Sequence, residues 1–126
     1  MNPVYLVAKS SDDSALLRRM LPPDTLRAIR FVVADDPSSA LSTARTLLAL
    51  GGKPVGLLVD SGTTEETQIT SQRQTLTGLL GNAAANVPWA LFIAAPDLHR
   101  VWEQRVALNK IPLAQDIKAF VKNVGN

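Results

Sequence analysis

The chain has 126 residues, of which 46% are hydrophobic and 19% are charged, and its formal net charge is +2. This length suits a single domain over residues 1–126 with a substantial core, and the composition excludes a disordered chain. The chain has no cysteine, which excludes disulfides, thiolate chemistry and zinc–sulfur sites.

No segment reaches the roughly 20 apolar residues that span a bilayer, and the first residues lack the pattern of a signal peptide. We therefore expect a cytoplasmic protein without a membrane partner. The 13 Lys and Arg residues are scattered along the sequence, so nucleic-acid binding is compatible with the charge but gains no support from it.

Strand and helix signals alternate along the chain. The predicted strands are Val4 to Ala8, Ile29 to Ala34, Val55 to Val59 and Trp89 to Ala94. The first predicted helix has Ser11 or Asp12 as its N-cap, and the others begin at Asp36-Pro37, near Glu65, at Pro96-Asp97 and after Pro112. Helix ends are predicted at Pro22-Pro23, Gly51-Gly52 and Gly81-Asn82. The helix that begins at Pro96-Asp97 is expected to carry Leu98, Val101, Trp102, Arg105 and Val106 on one side.

This alternation predicts an α/β fold: a doubly wound, mainly parallel four-stranded sheet with helices on both faces, in a Rossmann-like three-layer arrangement. The carboxyl ends of the strands then meet at one edge, which is expected to hold Ala8, Asp35, Asp60 and Ala95. The predicted core includes Leu6, Val7, Val32, Leu57, Val59, Leu91 and Ile93.

Asp60 is the most informative polar residue of the sequence. It ends an apolar strand and precedes a small-residue loop, Ser61-Gly62-Thr63. Ligands of open α/β sheets bind beyond the carboxyl ends of the strands, which makes Asp60 a candidate site residue. A plain structural role is the alternative, because Asp-Ser-Gly is also ordinary turn chemistry. The single histidine, His99, excludes a multi-histidine metal site.

Three strand ends together resemble the Toprim family. The segment from Val7 through Ala8, Lys9 and Ser10 to Asp12 resembles the opening motif, an apolar strand that ends in Val-Glu-Gly-x-x-Asp. Val59 to Thr63 resembles the second motif, Asp-x-Asp, and Phe92 to His99 resembles a later acidic segment in overcoming-lysogenization-defect-type nucleases. The resemblance covers about Val4 to Glu103 and implies a Toprim-like fold.

In Toprim domains of primases, topoisomerases and defence nucleases, the acidic residues hold Mg²⁺ for phosphodiester chemistry. This chain has Ala8 at the position of the family's Glu, Gly62 at that of the second Asp and His99 near the late acid. The resemblance therefore implies a degenerate site, with absent or impaired catalysis and weak Mg²⁺ binding at Asp60 and Asp12. Asp97 is the other acid that the chain retains near the motifs.

Two further interpretations stay open. The chain also resembles a response-regulator receiver domain, with Asp60 as phosphoacceptor and Lys110-Ile111-Pro112 near the position of that family's Lys-Pro pair. Alternatively, a fold that has lost its acids can serve as an interaction or regulatory module in nucleic-acid metabolism or defence. The Toprim resemblance then implies a protein partner such as an ATPase.

Overall fold

The computed structural model describes residues 3–104 and 112–124. The elements in chain order are β1 (Val4–Ala8), α1 (Ser11–Met20), α2 (Pro23–Arg27), β2 (Ile29–Val33), α3 (Pro37–Leu50), β3 (Val55–Asp60), α4 (Glu66–Ala83), β4 (Trp89–Ala94), α5 (Leu98–Gln104) and α6 (Pro112–Val124). The predictions for Arg105, Val106, Lys110 and Ile111 lie outside the described residues.

The four strands form one sheet in the order β2-β1-β3-β4, and every neighbouring pair is parallel. The predicted fold class is therefore confirmed. After β1 the chain moves outward to β2 and then crosses back over β1 to reach β3. This reversal places the topological switch point between β1 and β3, where ligands of doubly wound sheets bind.

Helices cover both faces of the sheet. One apolar cluster joins Leu17 of α1, Leu98 of α5 and Ile117 of α6 to the sheet, and the other joins Leu48 of α3 and Leu80 of α4 to it. Burial drives this packing at about 25 cal/mol per Å² of apolar surface.

The predicted core is confirmed in its centre and is more exposed at its margins. Leu6, Val7 and Leu57 are fully buried. Val32 of β2, Leu91 and Ile93 of β4 and Val59 near the end of β3 are only half-buried. β2 and β4 are the outer strands of the sheet, so their side chains have neighbouring strands on one side only.

Most predicted helix signals work as expected. Asp36 is the N-cap of α3 and accepts a hydrogen bond from the Ser39 amide at 2.8 Å, with Pro37 in the first turn. Gly51 ends α3 with a φ of 72°, a conformation that favours glycine.

Three helix predictions need correction. The N-cap of α1 is Ser10, one residue before the predicted position, and the short helix α2 follows Pro22 where only a helix end was expected. Gly81-Asn82 does not end α4, which continues to Ala83. The left-handed residue after α4 is Asn86, with a φ of 61°, so the chain turns later than the Gly-Asn pair suggests.

Candidate functional site

The switch point holds a lysine between two carboxylates. The Lys9 ammonium, just beyond the end of β1, lies 3.0 Å from Asp13 Oδ2 and 3.2 Å from Asp60 Oδ2. The side chains of Lys9, Asp60 and Asp13 are 27%, 19% and 5% exposed. We call these three residues the Lys9 cluster.

The N-terminus of α1 positions Asp13. The Ser10 side chain caps this helix by accepting a hydrogen bond from the Asp13 amide at 3.2 Å. Because Asp13 lies four residues after Lys9, the carboxylate turns back toward the end of β1 and meets the ammonium. A carboxylate in the first turn of a helix is also favoured by the helix dipole.

Asp60 connects three elements through its two oxygens. It is the last residue of β3, and its Oδ2 contacts Lys9 beyond β1. Its Oδ1 accepts a hydrogen bond from the Leu98 amide at the start of α5, at 3.1 Å. The carboxylate therefore joins the two central strands to the first turn of a helix.

The loop after Asp60 is held by a hydrogen bond within it and by two others, to α4 and to the residues before α5. The Ser61 hydroxyl donates to the Thr63 carbonyl at 2.6 Å, and the Gln72 side chain donates to the Ser61 carbonyl at 2.9 Å. The Gly62 amide donates to the Pro96 carbonyl at 2.8 Å. Gly62 has a φ of 72°, which supplies a physical reason for glycine at this position.

The environment shifts two pKa values in the Lys9 cluster. Burial lowers the pKa of Lys9, but its hydrogen bonds and charge interactions with Asp13 and Asp60 outweigh burial and raise it above 10.5. Burial raises the pKa of Asp60 above 3.8, Lys9 opposes this shift, and the Asp13 charge reinforces it. Two carboxylates therefore stabilise the charged form of Lys9, whereas Asp13 and Asp60 share one ammonium between them.

The predicted site residues lie in different environments. Asp12 and Asp35 are exposed, and so is His99. Asp97 accepts a hydrogen bond from the Arg100 amide at 2.8 Å and thus caps the first turn of α5. Ala8 is fully buried.

Gly62 is exposed, in contrast to Ala8, and a Cβ added there would meet nothing within 4 Å. Of the predicted positions, the structure brings Lys9 and Asp60 together. The acid that joins them is Asp13, which the sequence analysis missed in favour of Asp12. Two signals could have found it: the Ser10-x-x-Asp13 capping spacing and the four-residue separation from Lys9.

Within residues 3–104 and 112–124, no group of three or more His, Cys, Asp or Glu side chains is arranged to hold a metal ion. The predicted Mg²⁺ site at Asp60 and Asp12 stays a prediction. A separate groove of about 290 Å³ lies beside β4, where Arg73 of α4 and Asp116 of α6 are among its lining residues. The residues of the Lys9 cluster do not line this groove.

Comparison of the chain with protein families, curated proteins and solved structures gives no match. None of the helices in the described part of the chain combines the length and apolar character needed to cross a membrane.

Proposed function

We propose that the chain is a degenerate Toprim-like domain in which a lysine neutralises the acidic edge, and that it acts as a non-catalytic interaction or regulatory module. The proposed setting is nucleic-acid metabolism or defence, with a protein partner such as an ATPase. The observation that carries this proposal is the Lys9 ammonium within 3.2 Å of both Asp13 and Asp60.

The ammonium supports a non-catalytic role because it provides the positive charge that the two carboxylates require. Mg²⁺ binds through oxygen ligands in near-octahedral geometry and gives up its water reluctantly. At about 4 Å and an effective dielectric constant near 20, a divalent ion and an ammonium repel each other by about 8 kcal/mol. Mg²⁺ binding at this position therefore requires Lys9 to move away, which makes it weak.

Thermal melts with and without millimolar Mg²⁺ test this competition. We expect Mg²⁺ to leave the melting temperature of the wild type and of Lys9→Arg unchanged, because both keep a cation in place. In Lys9→Met the carboxylates lose their counter-charge, and Mg²⁺ should raise the melting temperature by binding the folded state. Lys9→Met with Asp60→Asn is the matched control and should lose this response.

Activity assays test the absence of catalysis directly. We expect no Mg²⁺-dependent cleavage, nicking or primer synthesis on DNA or RNA by the wild type. Robust activity that Asp60→Ala abolishes would overturn the proposal. Restoring the family's glutamate at Ala8 is a poor test, because this position is fully buried and a new carboxylate would enter the core.

A receiver-like function is the second candidate, and the strand order favours it. The order β2-β1-β3-β4 is that of the first four strands of flavodoxin-like sheets, the class to which receiver domains belong, with Asp60 at the end of β3. In the Lys9 cluster, however, both Asp60 oxygens already have partners. Beryllofluoride with Mg²⁺ separates the two candidates: amide resonance shifts around Asp60 that vanish in Asp60→Asn would favour a receiver, and their absence favours the module.

A further inference from the structure

The outer strand β2 exposes an apolar edge. None of its five residues is fully buried, and Val33 is 46% exposed. Within the described residues, β1 is the single strand that pairs with β2. In this part of the chain, the outer side of β2 therefore pairs with no other strand.

The hydrogen-bonding groups of this free edge can be assigned. The Val4 amide donates to the Ala28 carbonyl and the Ala34 amide donates to the Ala8 carbonyl, so the even-numbered residues of this segment face β1. Strand residues alternate in direction, which places the amides and carbonyls of Ile29, Phe31 and Val33 on the outer side. These groups form a short template for another strand.

Three common protective features of edge strands, namely proline, lysine and a β-bulge, are missing from β2, whose one charged residue is Arg30. Natural edges are commonly shielded by proline, lysine or a β-bulge. The sequence Ile-Arg-Phe-Val-Val contains neither proline nor lysine, and its register with β1 is continuous from Ile29 to Val33. Such an edge favours pairing with a further strand.

Charge complementarity points to a second copy as the partner. The amino-terminal end of β2 is basic, with Arg27 just before the strand and Arg30 in it, whereas Asp35 and Asp36 follow its carboxyl end. An antiparallel copy would place the basic end of each strand against the acidic end of the other. Parallel pairing would instead place like charges together.

We propose that two copies of this chain associate through antiparallel pairing of their β2 edges around a two-fold axis at Phe31. In this register Ile29 faces Val33 of the second copy, and Phe31 faces its own equivalent. Arg30 faces Val32 of the second copy, so the two arginines are not directly opposite each other and lie as diagonal neighbours on one face of the sheet. Arg27, which ends α2 beside the amino-terminal end of β2, then lies near the carboxyl end of the partner strand, which Asp35 and Asp36 follow.

The local contacts are compatible with this pairing. The Arg18 guanidinium lies 4.4 Å from the centre of the Phe31 ring on the face of the sheet, which leaves the backbone edge unobstructed by this contact. Arg27 pairs with Asp24 at 2.8 Å, but this pair is 75% and 92% exposed. Exposed ion pairs are weak, so Arg27 can exchange Asp24 for Asp35 of the second copy at little cost.

Light scattering over a range of concentrations tests the association. We expect the wild type to reach twice the 13.5 kDa of one chain and to dissociate on dilution. Val33→Pro removes an outward amide and leaves the β1 side intact, so it should raise the dissociation constant about tenfold or more. Val33→Thr keeps the amide and the branched side chain and should behave as the wild type.

Disulfide trapping tests the register, since the chain contains no native cysteine. In a hydrogen-bonded antiparallel pair the Cα atoms are about 5.5 Å apart, within disulfide reach, so Phe31→Cys should cross-link two copies. Two Val33 positions would be roughly 14 Å apart, because they are four residues out of register. Val33→Cys is therefore the matched control and should not cross-link.

A charge exchange covers the case in which Val33→Pro fails to fold. Asp35→Arg should weaken the dimer, and adding Arg27→Asp should restore it. A wild type that remains monomeric at every concentration would overturn the proposal. Equal cross-linking of Phe31→Cys and Val33→Cys would overturn it too, as would a folded Val33→Pro with unchanged affinity.

Discussion

Replacing Lys9 by methionine should destabilise the protein because it leaves two carboxylates without their shared counter-charge. Asp13 is the more critical of the two, since its side chain is 5% exposed and water cannot readily solvate it. Asp60 is 19% exposed and keeps its hydrogen bond from the Leu98 amide. Methionine retains most of the apolar stem of lysine, so the effect of this substitution is mainly that of losing the ammonium charge.

The magnitude follows from the burial of the Lys9 cluster. Removing one partner of a fully buried ion pair costs about 3–5 kcal/mol, and an exposed pair is worth about 0–1 kcal/mol. With Lys9 itself 27% exposed, we expect Lys9→Met to lower the free energy of unfolding by about 2–3 kcal/mol at pH 7. For a chain of this length, that loss corresponds to a melting temperature lower by about 8–12 °C.

Chemical and thermal unfolding of Lys9→Met and of Arg27→Gln provide the assay. In dilute protein, where the proposed dimer is dissociated, Arg27→Gln breaks the exposed pair with Asp24 and should change the free energy of unfolding by less than about 1 kcal/mol. The stability lost in Lys9→Met should become smaller as the pH falls toward 4, because burial raises the pKa of Asp60 and protonation removes its unpaired charge. A Lys9→Met variant as stable as Arg27→Gln at pH 7 would refute the assigned role of Lys9.

Three other outcomes follow from the same structure. The raised pKa of Lys9 stabilises the folded state below pH 10.5, so the wild type should lose stability as the pH rises above this value. A pH titration of unfolding should show no such loss in Lys9→Met. At pH 7, Asp60→Asn should change the free energy of unfolding by less than about 1 kcal/mol. Burial already disfavours the ionised carboxyl, and the Asn side-chain oxygen can still accept a hydrogen bond from the Leu98 amide. On acidification, the stability of the wild type relative to Asp60→Asn should rise as Asp60 takes up its proton, because the pKa of Asp60 is raised in the folded state. In denaturant titrations, Gly56→Ala should lower the free energy of unfolding by about 1–3 kcal/mol, since its Cβ would lie 2.9 Å from Phe92 Cε2. Gly78→Ala, at an exposed helical position, should raise the free energy of unfolding by about 0.5–1 kcal/mol.

The sequence predicts the fold well because its signals are local and mutually consistent. Strands at Val4–Ala8 and Trp89–Ala94 are continuous apolar runs, as expected for parallel strands covered on both faces, and their bounds are confirmed. The helix start at Asp36-Pro37 and the helix end at Gly51 depend on the conformation of single residues, so they can be recognised without knowledge of the tertiary structure. The predicted end of α4 was wrong because Gly81 does not adopt the left-handed conformation that commonly ends a helix, which is found later, at Asn86.

The candidate site is harder to predict because it depends on the exact start of α1. The sequence analysis placed the N-cap at Ser11 or Asp12, and the structure places it at Ser10. Each residue advances a helix by about 100°, so a one-residue shift changes which acid turns toward the end of β1. Asp13 is thereby buried and Asp12 exposed.

The part played by Lys9 could not be deduced from residue types alone. A lysine after a strand is ordinarily solvent-exposed. Two features of the fold bring Lys9 into contact with two carboxylates: the switch point sets β1 beside β3, and the capped first turn of α1 presents Asp13. If only Asp60 faced Lys9, the contact would be a single, partly exposed ion pair with a smaller effect on stability. The second acid, almost fully buried, makes the lysine necessary, because an uncompensated carboxylate in the first turn of α1 would oppose the packing of that helix on the sheet. The same charge that stabilises the edge thus competes with a metal ion for it, and the Lys9→Met melts measure both effects in one variant.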